Sequence, residues 1–274
     1  MFHSASFLVA ITVLTACVDA SSPDPAHVVG SGNDSSSAIA AGPVLTEAEL
    51  QEKLLQLRPR RARNGSLRFI SPELDRPEAA PFILERLRTE GADDLRAAWI
   101  VALSRTGGDY GPALVAMLSA EDGEMARLAM VAALRRVTDE SIAQQGFRIA
   151  LRDSSAKVRA SAAFNIGRYR YGKNMSAELV TALDDQDPVV HIAAVRALGH
   201  YRGRASFDVI TARLQSPDAK LRLEALRALF RIHPERAAEL QELPNLSADP
   251  DEKIRRVAEK VASWATNERA QIAE

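Results

Sequence analysis

From residue 77 onward, apolar positions recur three and four residues apart over stretches of about ten residues, and short acidic or polar turns separate the stretches. That pattern predicts helix, turn, helix throughout, with no convincing strand. First helices of each pair are expected at about 77–90, 112–120, 141–151, 177–183, 206–215 and 235–243. The second helices carry the stronger signal: an acidic or polar turn, an apolar residue, a basic residue, then alanines and a leucine. The basic anchors are Arg96, Arg127, Arg159, His191, Arg222 and Arg255, separated by 31, 32, 32, 31 and 33 residues. Seven residues after each anchor stand Leu103, Leu134, Ile166, Leu198, Leu229 and Ala262, about two helical turns away. Small residues between them, among them Ala98, Ala129, Ala162, Ala194, Ala225 and Ala258, let a neighbouring helix approach closely. One such hairpin cannot bury its own apolar face, whereas stacked copies share a core. The expectation is therefore an all-α fold, an α-solenoid of about six helical hairpins over residues 77–266.

The runs DSSAKVRASAAFNIG (153–167), DPVVHIAAVRALG (187–199) and SPDAKLRLEALRAL (216–229) resemble HEAT-like repeats of the short bacterial kind first noted in phycobilin lyases. The resemblance covers about residues 77–265 and speaks to fold far more than to function. Repeats one and two depart from it, with Trp99 and Met130 at a small-residue position and no glycine after the helix. It implies that turn aspartates and the anchors Arg96, Arg127, Arg159, His191, Arg222 and Arg255 form a hydrogen-bonded ladder between repeats, a structural role. His191 interrupts the arginine series. Gly167 and Gly199 follow their helices and are expected to be left-handed caps.

The start of the chain has a different texture. Residues 7–16 (FLVAITVLTA) form a short apolar run ending in small residues, which predicts a secretory signal over 1–16. Leu14, Thr15, Ala16 and Cys17 resemble a bacterial lipobox, which implies lipidation of Cys17, the one cysteine of the chain. No Lys or Arg precedes Lys53, so the positive charge that normally opens a signal is left to the α-amine and His3, or the true start lies upstream. Asp19 stands second after the cysteine. By resemblance to Gram-negative sorting, this favours the outer membrane, facing the periplasm, over the inner membrane. Residues 17–45, rich in Ser, Ala, Gly, Pro and Asp, are expected to be the lipidated cysteine and a disordered tether.

Residues 46–76 are expected to cap the stack. Thr46 and Glu49 make a capping box, and Leu50, Leu54 and Leu57 predict a helix over 47–58, stopped by Pro59. The run RPRRAR (58–63) fits a solvated linker, or a contact with anionic headgroups or an acidic partner. Leu67, Phe69 and Ile70 alternate over too few positions for a sheet and are expected to cover the open end of the first repeat. Residues 267–274 are expected to be a tail.

Charge follows the architecture: acids crowd the turns entering second helices and bases the loops leaving them, as helix dipoles favour. Aromatic residues interrupt two of those basic loops. GRYRYGK (167–173) and GHYRGR (199–204) make Tyr169, Arg170, Tyr171, His200, Tyr201 and Arg202 the candidate partner-binding residues, since Tyr and Arg are enriched in interaction hot spots. Catalytic signals are missing: there is no HExxH or other His/carboxylate metal spacing, GxSxG elbow, P-loop, GxGxxG or CxxC. No metal, cofactor or small-molecule substrate is expected. From Lys53 onward the chain holds 35 bases against 30 acids, an excess far below a nucleic-acid footprint. The sequence thus points to a non-catalytic, lipid-anchored protein-interaction scaffold of the cell envelope. The alternative is a lyase-like or chaperone-like subunit that holds a client protein for modification. Glycan binding, resting on Trp99 and Trp264, ranks last.

Overall fold

The computed structural model describes residues 46–272 apart from Asn64, with side chains up to Trp264. The signal, Cys17 and the tether lie outside the described residues. The chain divides into two units, one ending at Gly108 and the other beginning at Asp109.

In the first unit, α1 (Glu47–Leu55) opens on the expected capping box: Glu49 N–H donates to Thr46 Oγ1 at 3.3 Å, and Thr46 N–H to Glu49 Oε2 at 2.8 Å. Buried Leu50 and Leu54 fix its inner face. The next segment corrects the expectation that it is too short for a sheet. Strands β1 (Arg60–Arg61) and β2 (Leu67–Arg68) pair antiparallel, with Arg60 opposite Arg68 and Arg61 opposite Leu67. Gly65, at φ 81°, lets the chain reverse between them. After β2, Phe69 turns inward and stacks on Trp99 at 3.8 Å between ring centroids, while Phe82 meets the same indole edge-on at 6.3 Å. At this small-residue position Trp99 is covered by Phe69, just after β2, and by Phe82 of α2. Ile70 stays exposed and takes no part in that cover. The pair α2 (Ala79–Thr89) and α3 (Asp93–Leu103) follows, with Ile83, Leu87, Ala98, Ile100 and Leu103 in its core.

The second unit contains α4 (Gly111–Ala120), α5 (Glu124–Leu134), α6 (Glu140–Ala150), α7 (Ala156–Ile166), α8 (Ser176–Thr181), α9 (Pro188–Tyr201), α10 (Phe207–Thr211), α11 (Ala219–Ile232), α12 (Pro234–Ala238), α13 (Leu243–Ser247) and α14 (Glu252–Ile272). Second helices α5, α7, α9, α11 and α14 pack on one another in chain order, each also touching the first helices of its pair. Later first helices are less regular than the periodicity predicts. Helices α8 and α10 tighten into 3₁₀ turns at Ala182–Asp184 and Ala212–Gln215. The helix expected over 235–243 is two short ones instead, because Pro244 inside a continuous helix would clash with a preceding carbonyl. At the start of α13 its missing N–H costs nothing. Helix α14 continues past residue 266, where the periodicity ends the stack. Its positions Arg256, Glu259, Lys260 and Ser263 are exposed and polar, and Ala262 is exposed with them.

Two glycines correct the expectation of left-handed caps. Gly167 has φ −54° and Gly199 lies inside α9. A Cβ on Gly167 would stand 2.9 Å from Cα and Cβ of Ala197, and one on Gly199 2.7 Å from Ala228 Cβ. Both glycines sit eight residues after an anchor, facing the alanine six residues after the next anchor, so the missing side chain sets the helix spacing. The left-handed cap of α9 is Arg202, at φ 51°.

Three of the six anchors, Arg127, Arg159 and Arg222, bridge to the next turn as the family resemblance implies. Arg127 grips Asp153 of the next turn through Nε at 2.8 Å and Nη2 at 3.1 Å, while its Nη1 donates to the Glu121 and Asp122 carbonyls of its own turn. Arg159 does the same with Asp185 (2.8 and 2.9 Å), and Arg222 with Asp249 (2.9 and 2.9 Å). Each aspartate also accepts the N–H two residues on, from Ser155, Asp187 and Asp251. Arg96 and Arg255 clamp their own turn carbonyls.

At the fourth rung both members change together. His191 Nε2 meets the Asp185 carbonyl, replacing the guanidinium clamp. Opposite it, the place of the turn aspartate is taken by Ser216, whose Oγ accepts the Asp218 N–H at 3.2 Å. An arginine here would lack its carboxylate and an aspartate its guanidinium, and either unpaired charge is costly in a semi-buried turn. Accordingly, His191→Arg and Ser216→Asp should each fail to stabilise alone. Together they should show a favourable coupling of about 2 kcal/mol in a denaturant double-mutant cycle.

Candidate partner interface

The register of the repeat decides which loop residues can meet a partner. Ten residues after the first five anchors stand Thr106, Val137, Tyr169, Tyr201 and Ile232. Thr106, Val137, Tyr169 and Ile232 are buried and Tyr201 is half-buried. This corrects the assignment of Tyr169 to the contact surface: it is 2 % exposed, packed on Phe147 at 5.6 Å and Tyr171 at 5.7 Å, with its hydroxyl near the Val137 carbonyl. Burial holds its pKa above the usual phenol value. Arg170 is exposed but already used, donating to the Thr138 carbonyl at 2.9 Å and lying over Tyr171 at 4.8 Å. Tyr171 is half-buried, while His200 and Arg202 are exposed.

Tyr201 presses its hydroxyl into the preceding repeat, where a Cβ on Gly172 would be 1.9 Å from that oxygen. The oxygen is buried without a hydrogen-bond partner, and burial drives the phenol pKa far above its usual value. A buried hydroxyl with no partner costs about 1–3 kcal/mol. Tyr201→Phe, which keeps the ring and removes that oxygen, is therefore expected to raise stability by about 1 kcal/mol in thermal or denaturant melts.

One residue earlier in the register, the side chains point to solvent. Nine residues after the first four anchors of the second unit come Arg136, Arg168, His200 and Arg231, all exposed. The successive second helices bring three of them into one row: His200 is held below the usual imidazole pKa by burial first, then by the charges of Arg168 and Arg231. Arg168 lies over the Phe164 ring at 4.2 Å. Among the described residues, neither Arg168 nor Arg231 has a carboxylate within ion-pair distance.

Half-buried Phe164, Ile192 and Phe230 stand on the same three helices α7, α9 and α11; Phe164 lies under Arg168, and Phe230 meets Trp264 edge-on at 6.1 Å. Glu224 completes the floor. Its buried carboxylate accepts from Arg196 Nη2 and Arg227 Nη1, each at 3.0 Å. Burial opposes its ionisation, yet the two guanidiniums outweigh it and hold its pKa below the usual carboxylate value. One acid between two arginines leaves the floor positive as well.

Sequence reasoning placed Arg136, Arg168 and Arg231 in basic loops without singling them out. Counting from the anchors separates them from the buried tyrosines. Among the described residues, no group of three or more His, Cys, Asp or Glu side chains is placed to hold a metal ion. None of the described helices is long and apolar enough to cross a membrane.

The stacked pairs, the arginine–aspartate ladder and the glycine–alanine spacing define a helical-repeat protein. Residues 145–229, from α6 through α11, match the family of HEAT repeats. Over that segment the chain is similar to HEAT repeats, which generally mediate protein–protein interaction. No curated protein matches it.

Proposed function

We propose that this chain is a non-catalytic scaffold, lipid-anchored through Cys17 on the extracytoplasmic side of the envelope, at the outer membrane facing the periplasm. Its open second-helix face holds an acidic partner protein. The observation that carries the partner reading is the exposed row Arg168, His200 and Arg231, with half-buried Phe164, Ile192 and Phe230 on α7, α9 and α11. Charge of one sign together with half-buried apolar side chains fits a protein segment that carries both carboxylates and apolar residues. The lipobox-like Leu14 to Cys17 and the polar stretch that follows support the anchor and the location.

The test is in-cell crosslinking of the tagged chain, with mass spectrometry of its captured partners and of its mature N-terminus. The expected result is an acylated Cys17 at the N-terminus, loss of membrane association in Cys17→Ala, and one or two discrete envelope partners. An unprocessed N-terminus with cytoplasmic partners would overturn the location and favour a subunit acting on a cytoplasmic client.

A further inference from the structure

The β1–β2 hairpin carries a second charged surface that the repeat stack does not use. Arg58, Arg60, Arg61, Arg63 and Arg68 are all exposed, and no acid occurs between Arg58 and Glu73. Among the described residues none of these five has a carboxylate partner; Arg61 reaches only the Gly65 carbonyl at 2.7 Å and Arg58 the Leu57 carbonyl at 3.2 Å. The pairing makes the concentration worse, because Arg60 stands directly opposite Arg68. Like charges in a cross-strand pair destabilise a hairpin, so this one is held against its own electrostatics and gains from an anionic surface.

The hairpin also has an apolar edge. Phe69 turns into the core, while the next residue, Ile70, is 64 % exposed, and Leu55 at the end of α1 is 62 % exposed. These are the largest apolar exposures among the described residues, and they flank the arginines in sequence on both sides. Single-stranded nucleic acid would call for stacking aromatics, and the hairpin has none outside the buried Phe69. Arginines clustered beside isolated exposed aliphatic side chains suit the headgroup region of an anionic bilayer, where the charges meet phosphates and the aliphatic groups enter the interface.

We infer that this hairpin is a membrane-surface contact: Arg58, Arg60, Arg61, Arg63 and Arg68 bind anionic lipid headgroups, and Ile70 and Leu55 insert beside them. The inference rests on the reading that the chain is tethered at a membrane, and it gives the anchored protein a second attachment immediately after the tether. A lipid anchor combined with a basic patch holds far more firmly than a single acyl chain.

The test uses the chain from Val18 onward, which lacks both the apolar signal and Cys17, and measures co-sedimentation with phosphatidylglycerol-containing or pure phosphatidylcholine vesicles. Binding is expected on the anionic vesicles and not on the zwitterionic ones. Arg60→Gln/Arg68→Gln should weaken it about thirtyfold at low salt, two arginines' share of the attraction. Ile70→Ser should weaken it severalfold, and Arg152→Gln, an exposed arginine of a turn in the second unit, should leave it unchanged. Equal binding by the Arg60→Gln/Arg68→Gln variant overturns the inference. So does capture of a poly-glutamate peptide or duplex DNA by the hairpin arginines without vesicle binding. Because this background has no anchor, failure here leaves the mass of the native N-terminus to judge the anchor separately.

Discussion

Replacing Arg159 by alanine is expected to destabilise the second unit by about 3–5 kcal/mol, the cost of breaking a buried ion pair by removing one partner. Arg159 is 6 % exposed and makes four hydrogen bonds: two to Asp185 of the following turn and two to the Asp153 and Ser154 carbonyls of its own. Without it, two carbonyls lose their donor and the Asp185 carboxylate keeps only the Asp187 N–H. Lysine should recover a minor part, because a single ammonium cannot bridge carboxylate and carbonyls with a planar fork.

The same substitution changes the response to acid. Hydrogen bonding from Arg159 holds the folded-state pKa of Asp185 below its usual value, and Arg222 does so for Asp249. A depressed carboxylate contributes stability that is complete above its unfolded-state pKa and lost as pH falls through its folded-state pKa. The native chain should therefore lose ladder stability only in the acid range below the usual carboxylate pKa. Arg159→Ala should start less stable at neutral pH and lose less on acidification. Urea melts across that range, with Asp185→Asn alongside, check both statements.

Gly199→Ala should be nearly as damaging, at about 3 kcal/mol, although alanine is the better helix former by about 1 kcal/mol. The added methyl would lie 2.7 Å from the Ala228 Cβ and 2.9 Å from its Cα. Relief requires α9 and α11 to separate along their whole contact, since a Cα cannot rotate away as a side chain can. Ala228→Gly in the same chain removes the nearer of the two obstacles and should recover part of the loss. Additive losses in the pair would show that the helices are not held at this spacing by the glycine.

Second helices were legible from one repeated pattern. Their apolar positions, alanines and anchors fall inside helices of 11 or 14 residues, or 21 in α14, and α7 and α11 carry the anchors where the pattern puts them. The ladder was legible through the family resemblance, including the break at His191, but its compensation by Ser216 was not. Recognising it requires knowing that the contact crosses to the next repeat's turn. The aromatic loops misled for a related reason. Tyr169 comes after the last residue of α7, Ile166, so helical periodicity no longer says which way it points. The chain bends there to pack against the preceding repeat, carrying Tyr169 inward and leaving Arg168 outside. First helices were less legible because short segments with Pro244, or with 3₁₀ endings, contain too few turns for a period to register. The β1–β2 hairpin was missed because two-residue strands have no alternation to detect. Its turn at Gly65 and the inward Phe69 fix it instead.

The most direct measurement is site-resolved photo-crosslinking in cells, with a photoreactive residue placed singly at Arg168, His200 or Arg231, and for comparison at Arg152, in a turn that leads into a second helix. The account predicts that the three row positions attach to the same acid-rich partner protein while Arg152 attaches to none. Equal attachment at Arg152, or no attachment anywhere along the row, would contradict the claim that the open face of the second helices is where this repeat protein holds its partner.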